Sequence, residues 1–306
     1  MREDEKKYMI TKTAMITIAG RPNVGKSTLT NALVGEKIAI VSPKPQTTRG
    51  RILAVTSRGA TQFVFADTPG FHRARTKLGD YMDNVVRRSV ADVDAVALLV
   101  EPVPSLGPQE RELIARIKEN GVPAVLVINK SDTLEDKRKL LPVIAAYNEA
   151  YPFEDIVPIS AKTGDGVEEL LRVLDKFSVE GPQLFPDDII SDQPEKQICA
   201  EIVREKLLLT LDKEIPHGTA VVVTKFSQRE EDDVIELDVT IYCEKQSHKG
   251  IIIGKKGAML KKIGELARRD IERFMGAKVY LQTWVKVKEN WRDSTALLRN
   301  FGFTDE

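Results

Sequence analysis

The 306-residue sequence has only two cysteines, Cys199 and Cys243, and three histidines, His72, His217 and His248. Two thiols cannot build the disulfide framework of a small secreted domain. They also exclude a zinc centre of three or four thiolates, and the scattered histidines have no metal-ligand spacing. Net charge is absent too: 46 Lys and Arg balance 46 Asp and Glu. Taken as a total, this argues against a chain held on nucleic acid by bulk positive charge. No run approaches the roughly 18 apolar residues of a membrane span. The opening residues, MREDEKKYMITKT, mix both charges and lack the apolar core of a secretory signal. Free thiols without an export signal imply the cytoplasm. What is present, 42% hydrophobic and 30% charged residues, suits a globular chain rather than a disordered one. The length suits two domains, each with its own core.

Apolar runs at 14–19, 51–56, 62–66, 95–100, 124–128 and 155–159 predict six strands. Helical spacing covers 26–34, 109–120 and 137–150. Strands separated by helices imply right-handed crossovers and a mainly parallel sheet. One antiparallel hairpin is expected where 51–57 and 60–66 meet at Arg58-Gly59. Gly181, Pro182, Pro186 and Pro194, with Asp187, Asp188 and Asp192 between them, interrupt the pattern. They make 181–194 a linker between a domain at 1–180 and another at 195–306. The second domain reads as helix 195–212, strands 220–226 and 234–243, helix 257–274 and strand 279–287.

Gly20-Arg21-Pro22-Asn23-Val24-Gly25-Lys26-Ser27, followed by Thr28, fits G-x-x-x-x-G-K-[ST] between a strand and a helix. The glycines let backbone N–H groups wrap a phosphate, and the helix N-terminus adds positive potential. Lys26 supplies a point charge and Ser27 a hydroxyl for Mg²⁺. Asp67-Thr68-Pro69-Gly70 follows the third strand. There Asp67 can hold Mg²⁺ through water, and the Gly70 N–H can reach a γ-phosphate. Asn129-Lys130-Ser131-Asp132 follows strand 124–128. The Asp132 carboxylate can accept the N1–H and N2–H₂ of guanine, a donor pair that adenine lacks, so GTP or GDP is the expected ligand. Ser160-Ala161-Lys162 would bring a backbone N–H to guanine O6.

These four elements, in this order, resemble the signature of translation-factor-related Ras-like GTPases. The resemblance implies a P-loop Ras-like fold and Mg²⁺-dependent GTP hydrolysis. It also implies a switch threonine between 40 and 50, for which position favours Thr48 over Thr47. Lys26, Thr48 and Gly70 then form the catalytic set, and Ser27, Thr48 and Asp67 the metal set. Phe71 stands where Ras-like switches keep a water-orienting glutamine. A phenyl ring cannot orient water by hydrogen bonding, so slow intrinsic turnover is expected. In related GTPases an asparagine at the position of Asn23 holds K⁺ between the phosphates, which implies hydrolysis stimulated by K⁺.

Further on, His248-Lys249-Gly250-Ile251-Ile252-Ile253-Gly254-Lys255-Lys256-Gly257 carries the I-G-x-x-G signature of a KH domain before a helix. Its helix-strand-strand-helix-strand order is compatible with the type II arrangement. The glycines let a nucleic-acid backbone approach, and Lys255 and Lys256 neutralise phosphate. Lys249, Ile253 and Lys261 extend the expected RNA contact. Residues 245–292 hold thirteen Lys and Arg against four Asp and Glu. The neutral total is therefore a cancellation that conceals a basic segment.

One G domain followed by one type II KH domain resembles the Era family of bacterial GTPases, from about residue 13 to about residue 291. This resemblance implies binding to the 3′ end of 16S ribosomal RNA and a part in 30S subunit assembly; the sequence carries no sign of an oligomer, so a monomer is expected. Members of the family have also been described as peripheral to the inner membrane. The competing reading is a membrane-associated signalling switch whose KH-like domain binds protein. Cys199 and Cys243 read as core thiols, and Trp284 and Trp291 as packing residues. Leu297, Leu298 and Phe301 look like a short docking helix.

Overall fold

The computed structural model describes residues 11–70, 76–89, 93–229 and 231–303. They pack as two units. The first takes in the described residues up to 38, those of 48–70, and those from 83 to 192. The second takes in 39–47, 76–82 and the described residues from 193 onward. Phe71 lies outside the described residues.

The elements up to residue 192 are, in chain order, β1 (Lys12–Ala19), α1 (Lys26–Val34), β2 (Ile52–Arg58), β3 (Thr61–Asp67) and α2 (Lys77–Arg88). They continue with β4 (Ala95–Val100), α3 (Pro108–Asn120), β5 (Ala124–Ile128), α4 (Leu140–Ala150), β6 (Asp155–Pro158), α5 (Val167–Leu174) and β7 (Val179–Glu180). The sheet runs β2-β3-β1-β4-β5-β6. Only the hairpin β2–β3 and the short β7 against β1 are antiparallel. The central strands are apolar throughout because helices cover both faces of a parallel sheet. All six residues of β4 are buried. On one face Leu113 and Ile117 of α3 and Val143 and Tyr147 of α4 pack against Val96, Leu98, Leu126 and Ile128. Strand order reverses at β1, with β3 on one side and β4 on the other. In such sheets ligands bind beyond the carboxyl ends at this switch point.

Three elements escaped the sequence patterns. α5 has eight residues and β7 two, which is less chain than periodicity needs. α2 is mostly polar and carries a glycine. The segment expected to be a linker is instead fastened along β2. The Val55 N–H donates to Ile190 O at 2.9 Å. Asp192 Oδ1 accepts the Leu53 N–H at 2.9 Å. The Gln62 side chain holds Leu184 and Phe185 through three hydrogen bonds. The prolines stop a regular ladder there, but side-chain bonds and one bridge between Ala54 and Ser191 replace it.

The second unit contains α6 (Glu195–Thr210), β8 (Thr219–Gln228), β9 (Ile235–Cys243), α7 (Gln246–Ile253), α8 (Ala258–Met275), β10 (Val279–Val287) and α9 (Thr295–Asn300). β9 is central, antiparallel to β8 and parallel to β10. Ile198, Ile202 and Leu207 of α6 and Ile263, Ala267 and Ile271 of α8 bury its Leu237, Val239 and Ile241. Cys199 and Cys243 are both buried there, and burial pushes the Cys199 thiol up to about 12. The helix α7 was not expected. In it Ile252 is fully buried while Ile251 is 49% exposed. Trp291 is fully buried, donates to Gly218 O at 2.9 Å and packs on Phe301 and Phe303. Trp284 is not a packing residue: it is 55% exposed, because Val279 and Val285 take the inward positions of β10.

Candidate functional site

β1 ends at Ala19, and the chain turns through residues 20–25 into α1. Gly25 has φ +100°, and a Cβ there would meet Asn129 Nδ2 at 2.3 Å. Only glycine permits that approach. Lys26 is buried and folds back over the loop, donating from Nζ to Gly20 O (3.0 Å) and Arg21 O (3.1 Å). Burial lowers its ammonium to about 8, against the opposing charge of Asp67.

Three oxygens converge beside it. Ser27 Oγ donates to Asp67 Oδ2 at 2.9 Å and lies 2.9 Å from Thr48 Oγ1. The parallel register pairs Asp67 with Ile18, which brings the end of β3 to the phosphate loop. Burial raises the Asp67 carboxyl to about 6, although Lys26, Ser27 and the Thr68 N–H all favour its charge. Its second oxygen, Oδ1, is buried with no hydrogen-bond partner. Two hydroxyls and a half-satisfied carboxylate suit a hard cation such as Mg²⁺. The neighbouring Thr47 hydroxyl turns away and donates to Lys44 O at 2.7 Å. Thr68 Oγ1 donates to Ile18 O at 3.2 Å. At Gly70 a Cβ would lie 2.9 Å from the Pro22 backbone, so the 67–70 turn rests directly on the phosphate loop.

Beyond β5, the buried Asn129 braces two loops. Its Nδ2 donates to Val24 O at 2.7 Å, and its Oδ1 accepts the Ala161 N–H at 2.9 Å. Ser160 is buried, and its Oγ accepts the Thr163 N–H at 3.3 Å, shaping the turn that leaves Lys162 exposed. Asp132 stands exposed in a 3₁₀ turn at Ser131–Thr133. Lys130 adopts a left-handed φ of +61° and donates from Nζ to Asn23 O at 2.7 Å. Two residues here were not singled out from sequence, Glu101 and Glu110. Both pair with Arg21, and Glu101 also pairs with Lys130. The one available signal was that Glu101 is the first charge after a wholly apolar strand.

In the second unit, α7 ends at Gly254 (φ +73°), and a single turn at Lys255–Gly257 leads into α8. A Cβ at Gly254 would lie 2.7 Å from Met259 Cβ, so glycine is required for the two helices to meet. Lys255 and Lys256 are exposed. The N-terminus of α8 has no side-chain cap, which leaves its backbone N–H groups open to an anion. Lys249 is half-buried on α7. Lys261 lies 3.9 Å from Glu265, an exposed pair of little strength. Ile253 is partly buried beside the core.

No helix among the described residues is long and apolar enough to cross a membrane. Nor do they contain a cluster of three or more His, Cys, Asp or Glu side chains suited to a metal. A family described as 50S ribosome-binding GTPase matches residues 15–130, and one described as KH domain matches 214–292. The chain is 47% identical over 295 residues to GTPase Era of Caldanaerobacter subterraneus, covering 96% of this chain and 99% of that one. It is 49% identical over 292 residues to GTPase Era of Alkaliphilus metalliredigens, covering 95% and 99%. The solved structure of an Aquifex aeolicus Era variant bound to GDP and AlF₄⁻ superposes with a TM-score of 0.92 at 36% identity, covering 96% and 99%. A structure of Era with MgGDPNP and nucleotides 1506–1542 of 16S ribosomal RNA matches with the same score, identity and coverage.

Two outcomes follow from this geometry. Asp132→Asn should weaken GDP binding by about a hundredfold and shift preference toward xanthine nucleotides. An unchanged guanine preference in competition binding would remove Asp132 from base recognition. Asp67 must be ionised to hold a divalent cation, and its pKa of about 6 sets the range. The Mg²⁺ concentration for half-maximal nucleotide binding should be constant above about pH 7. It should climb toward tenfold per unit below about pH 5.5. A requirement that stays flat down to pH 5 would exclude Asp67 from the cation site.

Proposed function

The chain belongs to the GTPase Era family, and from that membership we propose a GTP-driven RNA-binding switch that engages the 3′ end of 16S ribosomal RNA and assists 30S subunit assembly. The protein is a GTPase. Residues 20–28 receive the α- and β-phosphates on backbone N–H groups, and Lys26 exchanges the carbonyls of Gly20 and Arg21 for phosphate oxygens. Asp132 accepts the guanine edge, with Asn129 and Lys130 fixing its loop and Ser160, Ala161 and Lys162 closing the far side. Ser27, Thr48 and Asp67 would hold Mg²⁺, which would supply positive charge against the phosphates. Thr48 and the Gly70 N–H report the γ-phosphate to their own segments. The carrying observation is the convergence of Ser27, Thr48 and Asp67 around a buried carboxylate oxygen without a partner.

The RNA half of the reading rests on the Gly254–Gly257 turn. Lys255 and Lys256 are exposed on a loop that offers a sugar–phosphate backbone close approach, flanked by Lys249, Ile253 and Lys261. This favours a cytoplasmic RNA-binding monomer over a switch at the periphery of the inner membrane with a protein-binding module. Asn23, held at φ +65° in the phosphate loop, serves in the same proposal as a K⁺ ligand.

Replacing Lys255 and Lys256 together by Asp should weaken binding to a 16S 3′-end fragment at least tenfold and lower the salt dependence by about two charges. GDP affinity should stay within about twofold. RNA binding equal to the parent protein in a filter assay would refute the assignment of this loop. GTP turnover should run several-fold faster in K⁺ than in Na⁺, and equal rates would take K⁺ out of the proposal.

A further inference from the structure

Glu101 follows β4 at the switch point of the sheet, where the phosphate loop and the guanine loop come together. One of its carboxylate oxygens accepts from the Arg21 guanidinium, and the other accepts from Lys130 Nζ. Arg21 belongs to the phosphate loop and Lys130 to the guanine loop. Lys130 also reaches Asn23 O at 2.7 Å. From α3 the buried Glu110 adds a second carboxylate 3.4 Å from Arg21. The Arg21 side chain is thus directed toward α3. Tyr147, also buried, lies in the field of the same group. Burial raises its phenol, with Glu110 adding to the effect and Arg21 opposing it, so it contributes no charge.

We infer that Glu101 is a positioning residue that clamps the phosphate loop to the guanine loop and so sets the lifetime of bound nucleotide. Two neighbouring loops carry left-handed backbone at Asn23 (φ +65°), Gly25 (φ +100°) and Lys130 (φ +61°). Such conformations persist when their surroundings over-determine them. Asn129 provides a neutral brace, and Glu101 provides a charged one built from different atoms of both loops. Its side chain is 26% exposed and those of Arg21 and Lys130 are 36% exposed, so the two ion pairs are partly screened by solvent and act together as one bridge. Burial alone would raise this carboxyl, yet Lys130 and Arg21 hold it below the usual carboxylate range. The clamp stays charged wherever the protein works.

The inference rests on the reading of residues 20–27 as the phosphate loop and 129–132 as the guanine loop. A ligand held by both loops leaves when they part, so loss of the clamp acts on release more than on the chemical step. The test compares Glu101→Gln, Arg21→Met and their combination in the full-length protein. Release of a fluorescent GDP, single-turnover GTP hydrolysis and nucleotide-free melting are measured for each. Glu101→Gln should release GDP about tenfold faster, with single-turnover hydrolysis within about twofold and melting nearly unmoved. The double variant should be markedly less than additive, because both changes break the same contact. GDP release at the parent rate in Glu101→Gln overturns the inference. Faster release accompanied by a matching fall in melting temperature also overturns it, as does full additivity. Asp132→Asn in the same assay separates this result from the underlying reading. Once it shows the shift toward xanthine, an unmoved Glu101→Gln release rate counts against the clamp alone.

Discussion

Asp67 and Lys26 are buried side by side, and each is displaced toward its neutral form, Asp67 to about 6 and Lys26 to about 8. Desolvation on this scale persists in a folded protein when something else requires it. An anionic ligand with its counter-cation would return both groups toward their ordinary values. The surrounding architecture serves that placement. The register of β1 against β3 sets Asp67 beside Ile18, two residues before the phosphate loop begins. Gly25 admits Asn129, and Gly70 admits Pro22, so three loops from separate crossovers close on one volume. The apolar strands beneath them supply the rigidity that loops alone lack.

The parts of this arrangement legible from sequence are those with a local signature. β4 and β5 are unbroken apolar runs whose observed limits match the expected ones, and the glycine and lysine spacing of residues 20–27 marks a phosphate loop wherever it occurs. Thr47 and Thr48 are chemically identical neighbours, and only the turn that sends one hydroxyl to Lys44 and the other to Ser27 distinguishes them. Glu101 and Glu110 were invisible because their partners lie far away in the chain, and charge pairing across crossovers leaves no periodic trace. α7 has eight residues, among them a glycine and three β-branched isoleucines whose local preference is against a helix.

The cancelled net charge has a structural counterpart. Many basic residues of the second unit are already engaged. Arg268 pairs with Glu272, Arg273 lies near Asp270, and Arg292 holds Glu244. Lys206 lies between Glu205 and Asp270. These groups shape the fold and contribute little to the far field. Lys255 and Lys256 differ because their turn is bounded by helices on both sides and raises them into solvent. A chain of zero net charge can present a focused positive site if its other cations are spent internally.

β10 pairs with β9 in parallel along its whole length, from Val279 with Ile235 to Val287 with Cys243. A parallel partner cannot arrive by a hairpin, so the residues from 244 to 278 must fold or loop back first. Until Val287 has been synthesised, the central strand of the second unit keeps an open edge. Val279 and Val285 are then also missing from the core formed by Ile263 and Ile271. The finished protein conceals that edge, whereas a prematurely ended or still-growing chain displays it. The bare edge of β9 is therefore a hazard of biosynthesis, and truncation ahead of β10, before Val279, is its most exposed form.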